Sequence, residues 1–282
     1  MTTVACTDLD RTLIYSAAAL ALTGPDAELP RLLCVELYES RPLSYLTEAA
    51  VATLDLLSRT ATLVPTTTRT PEQYRRIQLP GAAPAYAICA NGGHILVDGQ
   101  DDAGWNRLVR KRIGEGASVE QVHTHLREVG GGFVLKLRVA SGLFAYAVVD
   151  RAAVPGGWVA ELTGWCEDRG WSVSLQGRKI YCIPASLTKS AAAAEVAGRA
   201  GAEVLLAAGD SLLDQELMEC ADAAIRPAHG ELEERAWTGS GVAVTSARGV
   251  LAGEEIISWL LARALEPSFV ARAGSWRTYN PV

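Results

Sequence analysis

No apolar run in the sequence reaches the length of a membrane span. The first residues carry no basic stretch ahead of an apolar one, and Asp8 and Asp10 interrupt the only apolar segment there, so nothing reads as a secretory signal. The expectation is a cytoplasmic protein with no membrane partner. C-x-x-C is also missing. The six cysteines (Cys6, Cys34, Cys89, Cys166, Cys182, Cys220) are widely spaced and mostly lie in apolar runs, as small core residues of a reducing compartment do. Of four histidines only His123 and His125 are close together, with no cysteine or third histidine nearby; a solvated helix surface is a better reading than zinc. An excess of positive charge is lacking too. With 26 Lys and Arg against 32 Asp and Glu, the net charge of −6 disfavours a nucleic-acid partner, and the cluster Arg107, Arg110, Lys111, Arg112 reads as a solvated helix face. A small phosphorylated substrate, which needs only a local positive site, is compatible with this balance.

At 282 residues the chain is long enough for two domains. Its opening apolar run, residues 4–7, stops at Asp8 and Asp10, which period two places on one side of an extended chain. Two carboxylates so close need a cation or a shared proton, and a divalent metal with oxygen ligands would serve. A solvated acidic turn after a strand is the plain alternative.

The chain then alternates. Residues 16–43, with Gly24-Pro25 and Pro30, read as loop or short helices; 44–58 as a helix; 61–65 as a strand ending at Thr66-Thr67-Thr68-Arg69-Thr70; and 71–77 as a proline-started helix. This is the βαβ rhythm of a parallel sheet. Residues 86–90 form a further apolar run, closed by Asn91-Gly92-Gly93. Residues 102–129 read as helical, 133–140 and 144–149 as a hairpin about Ser141-Gly142, 155–169 as a helix, and 171–175 with 179–183 as a second hairpin. This αββαββ stretch is an α+β insertion with an antiparallel sheet. The first rhythm then resumes: a helix over 186–200 with Lys189 near its start, a buried strand over 203–208, the loop Gly209-Asp210-Ser211-Leu212-Leu213-Asp214, a helix over 212–220, short strands over 223–226 and 241–244, and a helix over 249–265. The tail, 266–282, reads as loop.

If the outer segments form one parallel sheet, its carboxyl edge gathers Asp8, Asp10, Thr67, Lys189, Asp210 and Asp214. Acids for a hard metal, with hydroxyl and ammonium donors, describe a phosphoryl site. These segments, Asp8-Leu9-Asp10-Arg11-Thr12, Thr67 before Thr68-Arg69, Lys189, and Gly209 to Asp214, resemble in order the four motifs of the haloacid dehalogenase (HAD) superfamily of phosphohydrolases. The resemblance implies an α/β, Rossmann-like HAD core over 1–82 and 184–265, an α+β cap domain over 83–183 and a C-terminal tail over 266–282. It implies a Mg²⁺-dependent phosphatase of a small phosphorylated metabolite, most plausibly a sugar or glycosyl phosphate. Asp8 would be the nucleophile, and Asp10 the acid and then the base, its carboxyl raised by neighbouring Asp8. Thr67 would donate to a phosphoryl oxygen and Lys189 would neutralise charge. Asp210 would bind Mg²⁺ with Asp8 and the backbone carbonyl of Asp10, and Asp214 would stand on the metal side.

The loop Thr66–Thr70 is similar to that of phosphatases acting on mannosyl-3-phosphoglycerate and on sucrose phosphate, so Thr68 and Arg69 are candidates for substrate contact; a surface role at a helix start is the alternative for Arg69. Arg11 suits a second anionic group of the substrate or a plain surface position, Asn91 the substrate, and its glycines a cap hinge. Among the cap cations Lys136, Arg138, Arg178 and Lys179, substrate contact competes with a solvated strand position, and Arg178 and Lys179 are preferred. Two other readings stand beside the phosphatase: a phosphoryl transferase or mutase on the same fold, and an idle relative that binds a phosphorylated ligand.

Overall fold

The computed structural model describes residues 1–266 and 274–278. The chain opens with β1 (Thr3–Thr7), passes a tight turn, and forms a hairpin of β2 (Leu32–Tyr38) and β3 (Arg41–Thr47). Helix α1 (Glu48–Thr60), β4 (Thr62–Pro65) and the short α2 (Pro71–Tyr74) follow. Next come β5 (Tyr86–Cys89), β6 (His94–Val97) and β7 (Gln100–Asp101), then α3 (Ala103–Arg112) and α4 (Val119–Val129). Strands β8 (Val134–Ala140) and β9 (Phe144–Val149), α5 (Trp158–Glu167), β10 (Trp171–Gln176) and β11 (Lys179–Pro184) complete the expected αββαββ pattern. The chain returns through α6 (Lys189–Arg199), β12 (Val204–Ala208), α7 (Leu212–Cys220), β13 (Ala223–Arg226), α8 (Glu231–Glu234), β14 (Val242–Val244) and α9 (Val250–Leu265).

One five-stranded sheet, ordered β14-β13-β12-β1-β4, is parallel throughout. Its inner strands β1 and β12 are buried throughout, as parallel strands between helices are. Alternate residues point opposite ways: Ala5, Leu63 and Leu206 pack with Leu54, Leu57, Ile256 and Leu260 of α1 and α9. Val4, Cys6, Val64 and Leu205 face the other way, toward the alanine-rich α6 and Leu217 of α7. A second sheet, ordered β10-β11-β9-β8, is antiparallel and carries α4 and α5 against it. Val122 and Leu126 of α4 and Leu162 and Cys166 of α5 are the buried helix positions. His125 of α4 stacks on Trp165 of α5 with centroids 3.7 Å apart. No helix among the described residues is long and apolar enough to cross a membrane.

Two expectations need correcting, and two further segments find their place. Residues 32–47 form a β-hairpin, where loop and the start of a helix were expected. Its turn, Glu39-Ser40, has positive φ at both residues (49° and 61°) without the glycine or asparagine that usually marks such a turn. Helix α1 begins only after Thr47, whose hydroxyl accepts from the Ala50 amide. The helix expected over 102–129 is two helices, broken between Arg112 and Val119, where Gly114 and Gly116 fall; Ser118 caps the second in a capping box with Gln121. The run 86–90 is the first strand of a β5-β6-β7 sheet turned at Asp98-Gly99, and it touches the parallel sheet through the Thr66–Ile88 bridge. In the tail, Ser275–Thr278 form a 3₁₀ turn; residues 267–273 and 279–282 lie outside the described residues.

Candidate active site

Register brings the loops together. Thr7, the last residue of β1, stands beside Ala208 of β12 on one side and Pro65 of β4 on the other. Asp8, Thr66-Thr67 and Gly209-Asp210 therefore leave the same sheet edge side by side. The Asp8 amide donates to the Ala208 carbonyl (2.8 Å) and the Thr66 amide to the Thr7 carbonyl (2.8 Å), which fixes that alignment one residue past the strands. Beyond Asp8 the chain turns back at once: the amides of Leu13 and Ile14 donate to the Leu9 carbonyl, and Arg11 adopts φ 67°.

Lys189, in the first turn of α6, is buried and donates to Asp8 Oδ1 and Asp214 Oδ1, both at 2.6 Å. The other Asp214 oxygen accepts from the Ser211 hydroxyl (2.6 Å) and amide (3.1 Å). Asp214 thus holds Lys189 in place as well as facing the acid cluster. Burial opposes the charge on Lys189, but Asp214 and Asp8 outweigh it and raise its pKa. Burial pushes the Asp8 carboxyl up to about 7, with Lys189 offsetting only part and Asp214 adding to the rise. Asp210 is driven well above the usual carboxylate range by burial and then by Asp8 and Asp214. Asp8, Asp210 and Asp214 offer oxygens all within 4.8 Å of one another. Three buried carboxylates share Lys189 and, 3.6 Å from Asp210, Arg11, and so remain one positive charge short. An all-oxygen set of this kind fits a hard divalent cation such as Mg²⁺.

Asp10 is placed differently. Arg69 Nε and Nη2 donate to its two oxygens, each at 2.7 Å. Burial raises this carboxyl, but Arg69, with Lys179 and Lys189 adding, lowers it to about 2. The expectation that Asp8 would raise Asp10 is corrected: a bidentate guanidinium outweighs a neighbouring carboxylate.

The acids open into a cavity of about 800 Å³ between the sheet edge and the antiparallel sheet. Asp8, Asp10, Arg11, Thr68, Arg178, Lys179 and Asp210 line it, so most of the residues singled out from the sequence come together. Arg11 Nε lies 3.6 Å from Asp210 Oδ2. The Thr68 hydroxyl donates to the Tyr181 hydroxyl across the cavity (3.4 Å). Lys189 and Asp214 lie beneath the lining. Thr67 is buried, and its hydroxyl accepts from the Arg69 amide (3.2 Å). Asn91 is outside the lining; its Nδ2 donates to the Leu187 carbonyl (2.7 Å), beside the start of α6. Gly92, at φ 95°, is packed so closely there that a Cβ would stand 2.2 Å from the Thr188 carbonyl oxygen. Gly92 thus packs against the start of the Lys189 helix, while a Cβ on Gly93 would stand 2.3 Å from Leu143 Cδ1 of the second sheet's hairpin.

Sequence reasoning missed several members. Glu36, its side chain fully buried, accepts from Arg69 Nη1 (2.8 Å), Ser44 Oγ (2.7 Å) and Arg76 Nε (3.1 Å). His229 lines the cavity; its Nδ1 accepts from the Gly249 amide (3.2 Å), so Nε2 carries the proton donated to the Arg11 carbonyl (2.8 Å). Burial lowers its pKa and keeps it neutral. Tyr181, Gln176 and Arg248 also line the cavity. The only hint of them was proximity to Arg178 and Lys179 for Tyr181 and Gln176; His229 and Arg248 stand near no motif.

No family model and no curated protein matches the chain. Solved structures match its fold along nearly its whole length. A sucrose-phosphatase from Synechocystis sp. PCC6803, solved with sucrose and phosphate, aligns with TM-score 0.65 and 16% identity over 92% of this chain and 98% of that one. A HAD subclass IIB sugar phosphatase aligns with TM-score 0.56 and 12% identity over 93% of this chain and 98% of that one. The C-terminal domain of C. albicans trehalose-6-phosphate phosphatase aligns with TM-score 0.53 and 10% identity, over 93% and 92%. The fold is that of the capped HAD phosphatases: a Rossmann-like parallel sheet with an inserted α+β unit.

Proposed function

We propose that the protein is a Mg²⁺-dependent phosphomonoesterase that works through an aspartyl-phosphate on Asp8 and acts on a small phosphorylated metabolite, a sugar or glycosyl phosphate. The observation that carries the reading is the Asp8–Lys189–Asp214 bridge, with Asp210 beside it, at the floor of a cavity roofed by a second sheet. The likeness of fold to sugar phosphatases supports it. In this reading residues 1–82 and 184–265 are the catalytic core and 83–183 the cap.

Asp8 attacks phosphorus, forming a carboxylate oxygen–phosphorus bond as the ester oxygen leaves, and water later cleaves the acyl phosphate. Covalent catalysis suits a weak carboxylate nucleophile because it divides one hard displacement into two. Lys189 holds Asp8 in place and neutralises charge on it and on the phosphoryl oxygens. Asp10 lies on the cavity side of Asp8, where a leaving oxygen needs its proton. Arg69 keeps Asp10 ionised, so proton delivery requires Arg69 to let go; incoming phosphoryl oxygens are the competing acceptor for the Nε and Nη2 edge that holds Asp10. Asp8, Asp210 and the Asp10 carbonyl would hold the cation, with Asp214 on its far side. When bound, the cation would supply the positive charge that keeps Asp8 ionised and offsets repulsion between two anions.

The test is phosphate release from a panel of sugar phosphates and p-nitrophenyl phosphate, with Mg²⁺ and with chelator. Metal-dependent release is expected. A folded protein that releases none from any of them would sink the phosphatase reading.

A further inference from the structure

The cap sheet turns one face toward the site, and register shows which residues share it. In antiparallel strands, directly opposed residues point to the same face. Val148, Lys179 and Gln176 are opposed across β9, β11 and β10, and all three line the cavity. Lys136 of β8 is opposite Val148, and so continues that row outward. The next row runs Arg138, Tyr146, Tyr181, Ser174. Lys136 and Arg138 thus stand on the site-facing side, one strand beyond the cavity lining, and Arg178 overhangs the cavity from the β10–β11 turn.

Among the described residues, Lys136, Arg138 and Arg178 have no carboxylate partner. Arg69, Arg151, Arg226 and Arg277, by contrast, are each paired with an acid. The acids of the cavity lining, Asp8, Asp10 and Asp210, all lie at its base. Charges on an edge strand also discourage strand addition. That accounts for a lysine on β8, but it does not account for Arg178 over the cavity or for cations in register with its lining. Tyr181 lines the cavity, and Tyr146 stands between it and Arg138 in the same row, with ring centroids 5.4 Å apart; each ring offers an apolar body with a polar tip.

Resting on the phosphatase reading, we infer that the group esterified to the phosphate carries a second anion, a carboxylate or another phosphate, received by Arg178, Lys136 and Arg138 on the cap. Lys179 lies within the cavity lining, its Nζ 6.0 Å from the Tyr181 ring centroid, and is assigned to the phosphoryl end. The substrate would then span the cavity with a negative group at each end and its sugar over Tyr181. The phosphate ester of a compact uncharged sugar would leave the rim cations unused.

The test is calorimetric binding to the Asp8→Asn protein with Mg²⁺ present, so that no ligand is turned over. Three probes separate the sources: glucose 6-phosphate, with no second anion; 6-phosphogluconate, with a carboxylate; and fructose 1,6-bisphosphate, with a second phosphate. At least one of the two probes with a second anionic group is expected to bind about tenfold or more tightly than glucose 6-phosphate, as charge-assisted contacts imply. Combining Lys136→Ala, Arg138→Ala and Arg178→Ala should collapse that preference to about twofold or less, at an unchanged melting temperature. Equal affinity for all three probes, or a preference that survives the triple substitution, overturns the inference. Hydrolysis of p-nitrophenyl phosphate by the unsubstituted protein is scored separately, so loss of the phosphatase reading and loss of the second-anion reading give different results.

Discussion

Arg69 and Asp10 form a two-point ion pair, Nε and Nη2 each 2.7 Å from a carboxylate oxygen, while the third nitrogen of the same guanidinium is held by Glu36 at 2.8 Å. All of the planar fork is in use. Asp10 is on the cavity side, with its side chain 42% exposed, and Glu36 on the buried side at 0%. The loop bearing Asp10 is thereby tied to the β2–β3 hairpin. Removing Glu36 would leave Arg69 and Arg76 short of a buried counter-charge. Glu36→Ala is expected to cost about 3–5 kcal/mol in denaturant unfolding, the usual cost of orphaning one partner of a buried pair. A loss under about 1 kcal/mol would show that the hairpin is held by its other contacts.

Asp8→Asn should remove turnover, with p-nitrophenyl phosphate hydrolysis falling by at least about 10³-fold, since an amide cannot replace the nucleophile. Circular dichroism should be unchanged, because Lys189 keeps Asp214 as a partner. Near-normal turnover in a purified sample would mean that another group attacks phosphorus.

The acid cluster makes a prediction that needs no substrate. A cation bound only by the folded chain raises stability by mass action, about 2.7 kcal/mol at a hundredfold excess over its dissociation constant. Mg²⁺ should therefore raise the melting temperature, chelator should reverse the rise, and Asp210→Asn should abolish it. A Mg²⁺ shift unchanged in Asp210→Asn would place the cation elsewhere.

Which of these features could be read in advance follows from the range of the interactions. Asp8, Lys189 and Asp210 stand at the ends of apolar runs or the start of a capped helix, and buried parallel strands announce themselves as such runs. The αββαββ order was legible because Ser141-Gly142 and Gln176-Gly177 mark their turns. The β2–β3 hairpin was not, because Glu39-Ser40 adopts a left-handed turn without a residue that favours one. Glu36 carried no local signal, since its partner Arg69 lies 33 residues on in a different loop. The Arg69–Asp10 pair spans 59 residues, so nothing local could show that it reverses the expected shift of Asp10.

The C-terminal turn supplies a pH prediction away from the site. Asp222 accepts from the Gly274 amide (3.0 Å), Trp276 Nε1 (2.9 Å) and Arg277, and also from the Leu205 amide (2.8 Å). Burial opposes its charge, but Arg277 and these donors outweigh it and lower its pKa. A carboxyl lowered on folding contributes stability that is fully present above its unfolded value, about 3.9, and lost as pH falls through the folded one. The buried Trp276 should therefore keep its fluorescence down to about pH 4 and change only below it. Asp222→Asn should show the exposed-tryptophan signal already at neutral pH. An acid transition well above pH 5 would point to a different group.

Glu231, the first residue of α8, spans the seam between the two sheets. Its buried carboxylate accepts from the Ser174 hydroxyl (2.6 Å) and Leu175 amide (3.0 Å) of cap strand β10, and from the Leu212 amide (3.2 Å) just past Asp210. Gly230, at φ 96°, lets this turn press on Asp210; a Cβ there would lie 2.5 Å from Asp210 Oδ2. The Leu232 amide donates to the Asp210 carbonyl (3.1 Å), and Arg151 of the cap pairs with Glu234 at the other end of α8. The position of the cap and the loop bearing Asp210 therefore share one short element. In Glu231→Ala the Leu175 and Leu212 amides lose their acceptor, and their hydrogen exchange should accelerate by about tenfold or more. Exchange in the β1–β12 ladder, which takes no bond from Glu231, should stay as it was. Acceleration confined to β10 would make Glu231 a cap contact alone. Acceleration at both Leu175 and Leu212 is what a carboxylate joining the cap to the Asp210 loop requires.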